Sequence, residues 1–424
     1  MFKWNSVCAT IGLLIVVSFV LVVSTTVSNA NRAVIIYSFG GPNGAYPEGN
    51  LIADSAGNLY GTTSAGGNAG CNGELGCGIV FKLTPNPPSQ TYRETVLHVF
   101  ASGNDGANPT GGLVLDKAGN LYGTTVSGGG SGCTVAIESP GCGTIFKIAS
   151  DGTESVLHTF CNKPSCADGS APIGNILIDS DGNLFGVTNA GGHSSKTCYS
   201  CGTVFRLSPS GMETVLYTFC SQPNCTDGSS PNGSLIRDSA GDLIGTTETG
   251  GHVTAAGTLC PLGCGTIFRV ARNGSETVLY TFCSQPNCAD SGLPVSGLIR
   301  DNAGNLYGTA SGPYGGAVFE LATNNTYTIL HSFTGGLDGC DPFGGLVAYK
   351  HQMFGTTLQC GSENRGTVFA ISSDATEKSL YSFRSRVDGK NPRAALILSG
   401  TNELFGTTAV GGDFSQGTVF EIEK

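Results

Sequence analysis

Tryptophan is almost missing from this chain of 424 residues, because the one copy, Trp4, lies in an N-terminal leader-like segment. The large flat rings on which sugars commonly stack are therefore scarce, and only off-repeat tyrosines such as Tyr46, Tyr92, Tyr199 and Tyr314 could substitute. Charge is scarce too. Asp, Glu, Lys and Arg together make 12% of the residues and the formal net charge is −10. No basic run occurs, which excludes a groove that tracks phosphates and with it nucleic acid as a partner. Apolar residues never recur at the 3.6 spacing of an amphipathic helix. No phosphate loop, nucleophile elbow or His-Glu-x-x-His zinc signature is found, so no cofactor is expected.

What the chain does have is glycine, 65 residues of it, set between short apolar runs. Glycine supplies the positive φ that tight turns need, and 39% hydrophobic residues suffice for a core. The N-terminus starts with Lys3, then an uncharged apolar run from Cys8 to Val23, then Ser28-Asn29-Ala30. A basic start, an apolar stretch and a small-x-small ending describe a signal peptide over residues 1–30, cleaved after Ala30. The chain is then secreted or held at the cell surface. It contacts a membrane only if that segment stays uncleaved.

Residues 31–424 are built from one repeat. Leu59-Tyr60-Gly61-Thr62-Thr63 returns at Leu121, Leu184, Leu243, Leu306, Met353 and Leu404, seven copies in all. Each copy carries a Gly-x-Val/Ile-Phe segment, ending at Phe81, Phe146, Phe205, Phe268, Phe319, Phe369 and Phe420. A second apolar segment ends at Phe39, Phe100, Phe160, Phe219, Phe282, Phe333 and Phe383, and a third follows a proline, as in Pro47 to Ile52. Four short strands per copy make a four-stranded antiparallel sheet, with turns such as Asp54-Ser55-Ala56-Gly57-Asn58 between the first two strands. One such sheet cannot bury both faces, so the copies must stack, and without capping repeats the stack must close on itself. The last copy stops after its third strand at Phe420-Glu421-Ile422, and the missing fourth strand stands before the first copy as Val34 to Phe39. The expected fold is an all-β, single-domain, seven-bladed β-propeller whose N-terminal strand completes the last blade.

The unit Asn-Leu-Tyr-Gly-Thr-Thr, then Gly-Gly, then Gly-Thr-Val-Phe resembles the Gloeo–Verruco tandem-repeat family of bacterial exported proteins. The resemblance implies a bacterial secreted or surface protein and brings no catalytic or ligand residues with it. Many members of that family are similar in carrying a C-terminal sorting anchor, from which this chain, ending on its last strand, departs.

Sixteen of the 17 cysteines follow the leader, and an even number in an exported chain reads as disulfides. Spacing suggests local pairs: Cys71/Cys77, Cys133/Cys142, Cys161/Cys166, Cys198/Cys201, Cys220/Cys225, Cys260/Cys264, Cys283/Cys288 and Cys340/Cys360. All eight fall in loops after the second or fourth strand of a blade, which emerge on one face of the disc. Cys198-x-x-Cys201 has zinc-like spacing but no matching second pair, so no metal is assigned to it.

That face also has the varied loops, which suits a binding surface on a rigid scaffold. The residues expected to bind a ligand are His193, Tyr199, His252, Glu74 and Glu138, in loops of blades one to four near the axis. His98, His158 and His331 occupy a slot held by Tyr217, Tyr280 and Tyr381 in other copies, which marks them as structural. Asp105, Asp168, Asp227, Asp290, Asp338 and Asp388 recur before the prolines as turn residues, and Glu94, Glu154, Glu213 and Glu276 recur at one hairpin position. The non-repeating carboxylates Glu48, Glu74, Glu138, Glu248, Glu363 and Asp413 are the alternative source of chemistry, as an acid/base pair of the glycosidase kind. Two functions follow: a monomeric, non-catalytic extracellular module that binds or adheres to a glycan or protein, or else a carbohydrate-active propeller enzyme of the hydrolase or lyase type.

Overall fold

The computed structural model describes residues 32–67, 71, 75–87, 91–130, 142–192, 201–251, 260–399 and 403–423. Seven four-stranded antiparallel sheets form a ring, with no α-helix and only five short 3-10 turns among those residues. Blade one is Ile52–Ala53, Leu59–Thr63, Ile79–Pro85 and Tyr92–Val99, and the other blades repeat that order from axis to rim.

Blade seven is closed as the sequence predicts. Its outer strand is Arg32–Ser38, paired antiparallel with Thr418–Glu423 through contacts that include Arg32↔Glu423, Ile35↔Phe420 and Ser38↔Thr418. Phe39 N donates to Gly417 O at 3.0 Å and extends the pairing by one residue. The two ends of the repeat array thus share one sheet.

The core lies between blades, and the two phenylalanine series build it. The phenylalanine closing each fourth strand meets the third-strand phenylalanine of the following blade edge-to-face. Phe39–Phe81, Phe100–Phe146, Phe160–Phe205, Phe219–Phe268, Phe282–Phe319, Phe333–Phe369 and Phe383–Phe420 all have centroids 4.7 to 5.3 Å apart. Such pairs favour the tilted geometry because ring edges are positive and faces negative. Gly61 is opposite Phe81 in the register, and a Cβ there would lie 2.6 Å from the Phe81 ring. The glycine of Leu-Tyr-Gly-Thr-Thr is therefore the notch that admits this ring.

Turns on one face follow a fixed chemistry. Asp54 Oδ1 accepts from Ala56 N and Asn58 N, while Asp54 Oδ2 accepts from Asn58 Nδ2 and Tyr60 Oη. Asp116 repeats the network with Asn120 and Tyr122, and Asp301 with Asn305 and Tyr307. Burial works against the Asp54 charge, but these donors outweigh it and hold the carboxyl below its usual range.

Candidate functional site

At the ring axis the first strands stand so close that backbone touches backbone. A Cβ on Gly49 would lie 2.5 Å from Gly111 O, and one on Gly111 would fall on Gly174 O. The second residue after each proline must therefore be small, and it is Gly49, Gly111, Gly174, Gly233, Ser296, Gly344 and Ala394. Cross-ties add to this crowding. Thr62 Oγ1 donates to Gly111 O at 2.8 Å, Asn175 Oδ1 accepts from Gly112 N, and Asn50 Oδ1 accepts from Ala395 N across the join of blades one and seven.

The residue directly after each proline behaves oppositely. It is Glu48, Thr110, Ile173, Asn232, Val295, Phe343 and Arg393, seven different types at one structural position. All seven line one axial cavity of about 400 Å³ bounded by every blade. First strands run from the cysteine-bearing loops toward the short hairpins, so this ring of side chains is at the cysteine-bearing end. Arg393 Nη1 is 3.4 Å from Glu48 Oε1, and its guanidinium is 5.4 Å from the Phe343 ring centroid. Asn232 Nδ2 donates to Glu248 Oε2 at 3.1 Å, which brings a second carboxylate to the edge of the mouth. Cavity and charges together suit a small polar or hydroxylated group seated on glycine backbone and one aromatic ring.

The sequence reading named Glu48 and Glu248 only as loop carboxylates, and the fold brings both to the axial mouth. Glu363 and Asp413 are exposed and do not line it. His193, Tyr199, His252, Glu74 and Glu138 lie outside the described residues, as do Cys133 and Cys198. The axial mouth is bounded by all seven blades, while the off-centre ligand site expected over blades one to four rests on loops outside the described residues. Thr110, Ile173, Asn232, Val295, Phe343 and Arg393 were missed. Their signal was the variety of one column in an otherwise repeated motif. Among the described residues Glu48, paired with Arg393, lines the cavity, and Glu248 stands at its edge on Asn232.

Six of the expected cystines are formed: Cys71–Cys77, Cys161–Cys166, Cys220–Cys225, Cys260–Cys264, Cys283–Cys288 and Cys340–Cys360. Cys142 and Cys201 are also disulfide-bonded. Large apolar side chains are exposed on the same face. Leu75, Leu262, Tyr314, Leu337, Val387 and Phe414 lie in its loops, and of the described residues only Val96 and Met212 are exposed elsewhere.

At the rim the turn aspartates meet the strand slot shared by histidine and tyrosine. Asp227, Asp290 and Asp388 accept from Tyr217, Tyr280 and Tyr381, while His98 and His331 reach Asp105 and Asp338 at 3.0 and 3.3 Å. His158 stands 3.6 Å from Asp168. Tyr and His interchange here because both put a polar tip on the same carboxylate. The hairpin glutamates face these turns from the following blade, joined by Glu377, which the sequence reading did not include. Glu276 is pushed up to about 7 by burial and then by Asp227, and Glu377 likewise by burial and Asp338.

These features define a seven-bladed β-propeller with a cystine-laced face around an axial mouth. The chain belongs to the Gloeobacter/Verrucomicrobia repeat family, whose model matches residues 21–160, 71–314 and 253–424. No curated protein sequence matches it. Among solved structures it is similar to the extracellular domain of BT4673 from B. thetaiotaomicron, assigned to a one-component system, with a TM-score of 0.53 and 10% identity. That match covers 92% of this chain and 40% of the other, so the chain spans well under half of that protein's length. A protein from Lactobacillus plantarum aligns with a TM-score of 0.47 and 15% identity, covering 79% and 84% of the two chains. A luciferin-regenerating enzyme aligns at 0.42 and 13%, covering 93% and 95%. These likenesses concern the fold alone. No helix among the described residues is long and apolar enough to cross a membrane.

Proposed function

We propose that this protein is a non-catalytic binding module that works outside the cytoplasm and takes its ligand on the cysteine-bearing face, over the axial mouth. The observation that carries the reading is the one-sided distribution of variety. The seven unlike side chains after the prolines and six exposed large apolar residues share that face, while the opposite face repeats one hairpin. A ring of identical blades offers a ligand nothing to choose between, and recognition needs differently placed groups. The disulfides, and the resemblance in fold to an extracellular domain, support a site of action where thiols oxidise. In this reading the leader is removed after Ala30, which N-terminal sequencing of exported protein tests.

A glycan array run beside a broad glycosidase and lyase screen tests the binding reading. The expected result is saturable binding without turnover, weakened at least about tenfold by Phe343→Ala and by Arg393→Ala in protein that unfolds normally. Turnover of any array glycan, or binding untouched by both substitutions and lost on changing the hairpin around Met212, sinks it.

A further inference from the structure

The rim seams repeat one arrangement with one variable. A glutamate at the start of the outer strand faces the turn of the preceding blade, and what differs is the group that meets its charge. At the seam of blades two and three the chain supplies a cation: Lys163 Nζ lies 2.7 Å from Glu213 Oε2, on a side chain that is 3% exposed. At the seam of blades one and two the turn Ala101–Asp105 has no lysine, and the groups beside Glu154 are an imidazole and the turn carboxylate. His98 Nε2 is 3.0 Å from Asp105 Oδ1. One ligand atom each from His98, Asp105 and Glu154 falls within 4.8 Å of the others. Glu154 Oε1 is buried without a hydrogen-bond partner, as are the Oε1 atoms of Glu94, Glu213, Glu276 and Glu377, and this seam differs from theirs in gathering three donor groups.

We propose that His98, Asp105 and Glu154 form a binding site for a divalent first-row transition ion, of the Zn²⁺ or Mn²⁺ kind. Two carboxylates match the charge of such an ion, and one neutral imidazole nitrogen with two oxygens is a donor set these ions accept. Calcium prefers a shell of six to eight oxygens and is disfavoured by the nitrogen. The donors are held in place. Asp105 Oδ2 accepts from Ala101 N at 2.7 Å, and the His98 ring stands edge-on to Phe100 with centroids 4.7 Å apart. Outer contacts of this kind fix the direction in which a ligand atom points. His331, Asp338 and Glu377 repeat the residue types at the seam of blades five and six. Among the described residues, only the first of these two seams brings all three ligand atoms within 4.8 Å.

The test uses the whole exported chain, stripped with a chelator and titrated calorimetrically with Zn²⁺ alone and Mn²⁺ alone. One saturable site per chain is expected, with a rise in the unfolding midpoint on binding. His98→Tyr installs the residue other blades carry, whose phenol still reaches the aspartate as Tyr217 reaches Asp227, so the variant should fold. It and Glu154→Gln should each weaken the ion at least about tenfold, while His331→Tyr should not. Co²⁺ put in place of the ion gives visible bands that His98→Tyr removes. Absence of saturable binding, or binding that survives both His98→Tyr and Glu154→Gln, overturns the assignment, because the ion is then held elsewhere or not at all.

Discussion

Axis and rim of the same ring are held together by different means. At the axis the backbones of neighbouring first strands are in contact, and the side chains that differ most are those lining the mouth directly after each proline. At the rim the blades meet through side chains: aspartate with tyrosine or histidine, and glutamate across the seam. Backbone crowding restricts the second residue after each proline to small types, so the widest variety at the axis falls on the residue directly after the proline, which lines a cavity. Rim contacts tolerate exchange, as the Tyr/His slot shows, and so the rim can carry different chemistry in different seams without altering the fold.

The largest expected effect breaks the rim. Removing residues 31–40 takes away the outer strand of blade seven and exposes the edge Thr418–Glu423, together with the core under Ile36 and Phe39. An unpaired edge over an apolar core costs cooperativity and invites aggregation. Calorimetry on the truncated chain should show no sharp transition. An unchanged melting curve would mean the ring does not depend on this closure.

A smaller effect separates crowding at the axis from strain at the rim. Gly111→Ala puts a Cβ onto the Gly174 carbonyl, which is backbone and cannot swing aside. A loss of about 2–3 kcal/mol is expected from such overpacking. Gly103→Ala at the rim meets nothing within 4 Å and has only its φ of +59° against it. That residue should cost about 1 kcal/mol. Urea unfolding of the two variants checks the order, and equal losses would show that the axial strands can move apart.

Most of the fold was legible because each repeated residue has one physical task. The glycine of Leu-Tyr-Gly-Thr-Thr makes room for a ring, the phenylalanines form the seams, Asp-x-x-Gly-Asn makes the hairpin, and Val34 to Phe39 supplies a strand that the last copy lacks. The axial site was legible only in part. Glu48 and Glu248 stood out as carboxylates outside the repeat, yet nothing along the chain says that residues 48 and 393 meet. Thr110, Ile173 and Val295 are unremarkable side chains, and they become a site only when the ring closes. The same holds for His98, which reads as a plain variant of a tyrosine slot until Asp105 and, from the next blade, Glu154 are set beside it. Irregular loop residues such as His193 and Tyr199 lack a repeat to position them, so the sequence gives them no geometry.

The smallest effect sharpens the comparison at the rim, through pH. Glu276 faces Asp227, which accepts from Tyr217 Oη, Ser221 N and Gln222 N, and among the described residues no lysine reaches this seam as Lys163 reaches Glu213. Burial first, and Asp227 second, raise the Glu276 carboxyl from 4.5 to about 7. The folded chain then keeps a proton that the unfolded chain gives up. Stability from this group is present in full below pH 4.5 and is lost as pH climbs through 7, the reverse of a salt-bridged carboxylate. The unfolding midpoint, measured with a chelator present, should fall by on the order of one or two degrees between pH 5 and pH 8. Glu276→Gln removes the titration and should shallow that fall while leaving the midpoint at pH 5 nearly unchanged. Glu213→Gln is the contrast: it strips the carboxylate that Lys163 pairs with and should lower the midpoint by a degree or less, on the order of a single ion pair. If Glu276→Gln leaves the pH slope as it was, the seam carboxylates are better hydrated than the structure shows, and the rim is stabilised by packing alone.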